Sequence, residues 1–79
     1  MDASNVFKKV VTDSGMRMAD ISRAIGYNEN YVNSKVKRSN VPRVDTLALV
    51  SDVCGFDLLV RHRKTGDETI IDPPKREQS

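Results

Sequence analysis

The sequence predicts a mostly α-helical chain of four short helices followed by a C-terminal β-hairpin. Apolar residues recur at helical spacing in four segments, and Gly15, Gly26, Pro42 and Gly55 punctuate those segments. From Phe56 onward the apolar period shortens from about 3.6 residues to about 2. With 79 residues there is room for one small domain. A chain this short buries roughly 60% of its unfolded surface on folding, so a second copy or a partner commonly completes it.

Val6, Phe7, Val10 and Val11 predict a first helix over residues 4–14, capped by Ser4 or Asn5 and stopped by Gly15. Met18, Ile21, Ser22 and Ile25 share one face of a second helix over residues 17–25, which Gly26 ends. Asn28 is a suitable N-cap for a third helix, with Tyr31 at its N3 position. Tyr31, Val32 and Val36 give that helix a thin apolar seam, while Glu29, Asn30, Asn33, Ser34, Lys35, Lys37 and Arg38 fill the rest. Such a helix is only weakly buried, and its polar face looks away from the core.

Ser39-Asn40-Val41-Pro42 breaks the chain, since proline lacks a backbone donor and disfavours helix in the residue before it. A fourth helix is expected over residues 44–54. Leu47, Val50 and Cys54 form one stripe, Leu49 and Val53 lie beside it, and Gly55 is the stop. Phe56, Leu58, Val60 and His62 then alternate with Asp57, Leu59, Arg61 and Arg63. Lys64-Thr65-Gly66-Asp67 is a turn whose glycine tolerates positive φ, and a return strand runs over residues 68–72 around Ile70 and Ile71. Pro73-Pro74 ends the strand, and residues 75–79 are expected to be a disordered tail.

The formal net charge of +2 singles out no partner, but its distribution is uneven. Charges cancel over residues 1–30, residues 31–43 hold Lys35, Lys37, Arg38 and Arg43 with no acid, and residues 44–60 hold Asp45, Asp52 and Asp57 with no base. A lone cysteine, Cys54, excludes an internal disulfide framework and suits a reducing cytoplasm; its apolar stripe marks it as core. No apolar run approaches the roughly 18 residues a membrane span needs. No phosphate-cradling glycine loop, Cys/His ligand set or nucleophile–base pairing is present, and His62 has no second ligand nearby. An enzyme, a metal site and a cofactor are therefore not expected.

Two short helices joined by a tight glycine-containing turn, the second polar outside, describe a helix-turn-helix. Residues 15–38 resemble the Cro/phage-repressor (lambda-repressor-like) family, whose pattern runs Gly-Leu-Ser-Gln-x-x-Leu-Ala-x-x-x-Gly-Val-Ser-x-x-x-Ile. Here Gly15-Met16-Arg17-Met18, Ile21-Ser22, Gly26-Tyr27-Asn28 and Val32 fall in that register without a gap, and Pro42, Thr46-Leu47 and Gly55 match the downstream segment. Arg17 and Met18 replace the family's Ser and Gln, and Lys35 replaces an apolar residue.

Residues 56–74, a β-hairpin apolar on both faces, are expected to be a dimerisation element. The resemblance implies a helix-turn-helix domain over residues 1–55. It further implies that the third helix enters the DNA major groove, with Glu29, Asn30 and Ser34 reaching base edges. Asn suits adenine, and Glu can accept from a cytosine amino group. Arg17, Asn33, Lys35, Lys37, Arg38 and Arg43 fall where phosphate is touched, which supplies affinity rather than sequence reading. Phe56, Leu58, Leu59, Val60, Ile70 and Ile71 leave both hairpin faces apolar, and one face is expected to pack on the helices while the rest pairs with a second copy. The expected function is that of a cytoplasmic, homodimeric regulator of phage or mobile-element type that binds double-stranded DNA. The alternative keeps the scaffold but binds a protein, as an inhibitor or antitoxin-like protein would.

Overall fold

The computed structural model describes residues 1–74; the tail expected over residues 75–79 lies outside the described residues. The described residues form α1 (Ala3–Asp13), α2 (Met18–Ala24), α3 (Tyr31–Lys37), α4 (Val44–Val53), β1 (Leu59–Arg61) and β2 (Glu68–Ile70). No helix among them is long and apolar enough to cross a membrane.

Asp2, rather than Ser4 or Asn5, caps α1, because its carboxylate accepts from the Asn5 backbone N–H at 2.9 Å. That interaction also sets a negative charge at the positive end of the helix dipole. Phe7, Val10 and Val11 are buried as the stripe requires. They meet Ile21 and Ile25, Val32 of α3, and Leu47, Leu49 and Val50 in one core. At roughly 25 cal/mol per Å² of apolar surface removed from water, this cluster is the main drive to fold.

The fourth helix departs from its expected stripe. Thr46 through Ser51 are all buried, because α1 and α2 both pack on α4 and leave its middle little open face. Cys54 sits half-buried at the C-cap, where burial pushes its thiol pKa up.

The hairpin is shorter and more independent than expected. β1 and β2 pair antiparallel with Leu59 opposite Ile70, Val60 opposite Thr69 and Arg61 opposite Glu68. Every residue of both strands is exposed, so neither strand packs on the helices. The body is met just below the strands: Leu58 packs against the core, and the Ile71 N–H donates to the Leu58 carbonyl at 2.7 Å. Strand alternation puts Leu58, Val60, Thr69 and Ile71 on one face and Leu59, Arg61, Glu68 and Ile70 on the other. The six residues assigned to dimerisation therefore divide. Leu58 and Ile71 are half-buried at the root, while Phe56, Leu59, Val60 and Ile70 are exposed.

Candidate functional site

The feature that organises α2 and α3 is Ser22, which is fully buried in the apolar face of α2. Its hydroxyl donates to the Met18 carbonyl at 2.9 Å and accepts from the Val32 N–H at 3.0 Å. Val32 is the second residue of α3, so a side chain from one helix satisfies an open backbone donor at the start of the next. Asn28 was expected to cap α3 directly. It sits further upstream, where its Oδ1 accepts from the Asn30 N–H at 2.9 Å and its carbonyl accepts from the Tyr31 N–H. A turn over residues 28–30 thus precedes α3, which starts at Tyr31.

This arrangement releases Asn30. It occupies the N-cap position yet makes no side-chain cap hydrogen bond, since Ser22 and Asn28 already serve the neighbouring amides. Its exposed amide is without a hydrogen-bond partner among the described residues, as is the Ser34 hydroxyl. Both line an open groove along α3 together with Asn28, Tyr31, Lys35, Arg38 and Asn40.

Tyr31 packs edge-on against Tyr27 with ring centroids 4.3 Å apart, and the Lys35 ammonium lies 5.5 Å from the Tyr31 centroid. Burial, reinforced by Tyr27, raises the Tyr31 phenol pKa, so it remains a neutral group. The pair fixes the stem of Lys35 while leaving its charge at the surface.

The exit of α3 is held by a Schellman pair: Asn40 N–H donates to the Lys35 carbonyl at 3.1 Å and Ser39 N–H to that of Val36 at 3.2 Å. Glycine normally fills the left-handed position of this motif, but Ser39 occupies it with φ of 53°. A non-glycine residue there costs roughly 1–2 kcal/mol. Its hydroxyl accepts from the Lys8 ammonium at 2.9 Å, which brings a cation from α1 to the basic end of α3. Lys8 has no sequence signal for this role, because its local charges cancel and only the packing of α1 on α3 brings it there.

The expected phosphate-contact residues do not act as one set. Lys37 and Arg38 are exposed and without an ion-pair partner among the described residues, and Asn33 and Lys35 are half-buried beside them. Arg43 instead reaches Asp45 at 3.6 Å, on a separate cleft shared with Ile71 and Pro74. Arg17 pairs with Asp20 at 3.0 Å, and Arg23 bridges Asp20 at 3.0 Å and Glu29 at 3.2 Å. The Arg17 hydrogen bond, aided by Arg23, lowers the Asp20 pKa despite some desolvation. Exposed pairs of this kind add little to stability. Glu29 is therefore a partnered acid, and its charge is partly neutralised before any ligand arrives.

Among the described residues no group of His, Cys, Asp or Glu is placed to hold a metal ion. No family model matches this chain, and neither a curated protein nor a solved structure matches it. The functional reading accordingly rests on the residues themselves.

Proposed function

We propose that this chain is a sequence-specific DNA-binding regulator of repressor type, in which α2 and α3 form a helix-turn-helix and two copies act together. The observation that carries the reading is the chemistry gathered on α3. Among the described residues the side-chain amide of Asn30 and the hydroxyl of Ser34 stand without partners at its start and middle, and Lys35, Lys37, Arg38 and Lys8 surround its exit. Donors and acceptors that suit base edges thus sit beside cations that suit phosphate. Glu29 fits as a selective element, since a carboxylate held by Arg23 can accept from cytosine while discouraging indiscriminate binding.

The test is a titration against duplex DNA from upstream of the protein's own gene, beside a scrambled duplex, over a range of salt. Affinity is expected to fall with a log–log slope of about −0.9 per phosphate neutralised. Lys37→Ala is expected to weaken binding to both duplexes alike and to reduce the slope by about one per protomer. A salt-independent interaction would refute the phosphate role.

The same reading makes the hairpin the dimer element. A two-stranded ribbon is marginal in water, and this one leaves Leu59, Val60 and Ile70 at 38%, 59% and 52% exposure. Edge-to-edge pairing with the same element of a second copy adds neighbours on both faces and yields the two-fold symmetry of paired half-sites. Light scattering is expected to show a dimer at tens of micromolar, and Val60→Asp a monomer; a monomeric wild-type chain at high micromolar concentration removes this element.

A second reading, a protein-binding scaffold, draws on the same exposed apolar residues and on Glu29. It is favoured if the wild-type chain shows no preference between the duplexes while a co-purifying protein is lost on substitution in α3.

A further inference from the structure

The tip of the hairpin lies beyond the apolar residues assigned to the dimer and apart from the α3 groove, and it has the composition of a binding element. Arg61, His62, Arg63, Lys64, Thr65 and Gly66 line one open concavity there. Arg61, Arg63 and Lys64 make no ion pair among the described residues, whereas Lys9, Arg17, Arg23 and Arg43 are all paired. Asp67 and Glu68 follow on the return side and do not line the concavity; Glu68 stands opposite Arg61 in the register, yet neither acid reaches ion-pair distance of the three cations among the described residues.

The loop is also held firmly. His62 N–H donates to the Asp67 carbonyl at 2.8 Å, and Gly66 N–H donates back to the His62 carbonyl at 2.9 Å with φ of 76°. The His62 Nδ1 accepts from the backbone N–H groups of Lys64 at 3.2 Å and Thr65 at 3.4 Å. Asp67 N–H donates to the Thr65 hydroxyl at 3.1 Å. His62 thereby works as an internal brace rather than as a ligand, and it fixes the backbone that carries the flanking cations.

The hairpin is rooted beside the start of α4. Ile71, Asp72 and Pro74 share a cleft with Arg43, Val44 and Asp45, where the connection from α3 enters α4. From Leu59 to Arg63 the strand rise carries the tip about 13 Å beyond that root, the length of roughly four base steps along a duplex.

We propose that Arg61, Arg63 and Lys64 form a second phosphate-backbone contact, made by the hairpin tip on DNA flanking the segment met by α3. The inference rests on the DNA-binding reading of α3. It adds affinity and footprint without base discrimination, because point charges on phosphate carry no sequence information.

The experiment compares the full chain with an Arg61→Gln/Arg63→Gln/Lys64→Gln variant that keeps His62 and Gly66. Each is titrated against a short duplex ending at the half-site and against one extended by several base pairs. On the extended duplex the variant is expected to lower the salt slope by up to about 2.7 per protomer, and on the short duplex to leave it unchanged. An unchanged melting temperature shows that the variant keeps its fold. If the variant matches wild type on the extended duplex while wild type binds both, the tip contact is wrong and the α3 reading stands. If wild type binds neither duplex, the α3 reading fails and this inference falls with it.

Discussion

Ser22→Ala is expected to cost about 1–3 kcal/mol of folding stability, the penalty for leaving a buried backbone donor without a partner. The Ser22 hydroxyl is the acceptor for the Val32 N–H, and both residues are 0% exposed, so water cannot take its place. Removing the hydroxyl deletes few atoms and opens little cavity, which leaves the orphaned amide as the dominant effect. The loss is also directional. It falls at the start of α3, a seven-residue helix whose own N-cap side chain makes no capping bond. Urea unfolding is expected to show a lower midpoint with an unchanged m-value, and the Val32 amide to exchange faster with solvent than the Phe7 amide does. A variant within about 0.3 kcal/mol of wild type, with Val32 still protected, would show that the hydroxyl is not the cap of α3.

The legible parts of this fold were those governed by local rules. Helical spacing located four helices, and the glycines expected to end helices or form the turn, Gly15, Gly26, Gly55 and Gly66, all have positive φ. What the sequence concealed depends on contacts between elements. Asn28 has a capping side chain at a capping distance, so local chemistry favoured it as the cap; burial of Ser22 against Val32 decided otherwise. A serine among Met18, Ile21 and Ile25 reads as a tolerated polar residue until its acceptor role is visible.

The charge reading was confined to one dimension for a similar reason. Counting bases over residues 31–43 gave Arg43 to the basic stretch, but Asp45 is its spatial neighbour, while Lys8 joins the stretch from α1. Period-two alternation identified the hairpin and its two apolar faces. It could not show that contact with the body stops at Leu58 and Ile71, because that limit is set by where the ribbon leaves the helices.

Asn30 and Glu29 stand next to each other and are expected to respond in opposite ways. Asn30 has its side-chain amide exposed and, among the described residues, unbonded at the start of α3, so bidentate pairing with adenine breaks no bond among them. Asn30→Ala should therefore lose about 1–3 kcal/mol on the cognate duplex and almost nothing on a scrambled one. Its stability should hold, since Asn30 contributes neither a cap bond nor core surface. Glu29 is held by Arg23, which also serves Asp20. Glu29→Gln removes a charge that opposes phosphate and leaves Arg23 with one acid in place of two. Binding to scrambled DNA should tighten, its salt slope should steepen by up to about 0.9 per protomer, and the ratio of cognate to random affinity should narrow. The checking measurement is a titration of both variants against both duplexes at fixed salt, followed by a salt series for Glu29→Gln. Equal losses on the two duplexes for Asn30→Ala would make it a phosphate or structural residue. Weaker random binding by Glu29→Gln would mean that the carboxylate positions Arg23 for DNA rather than holding DNA off.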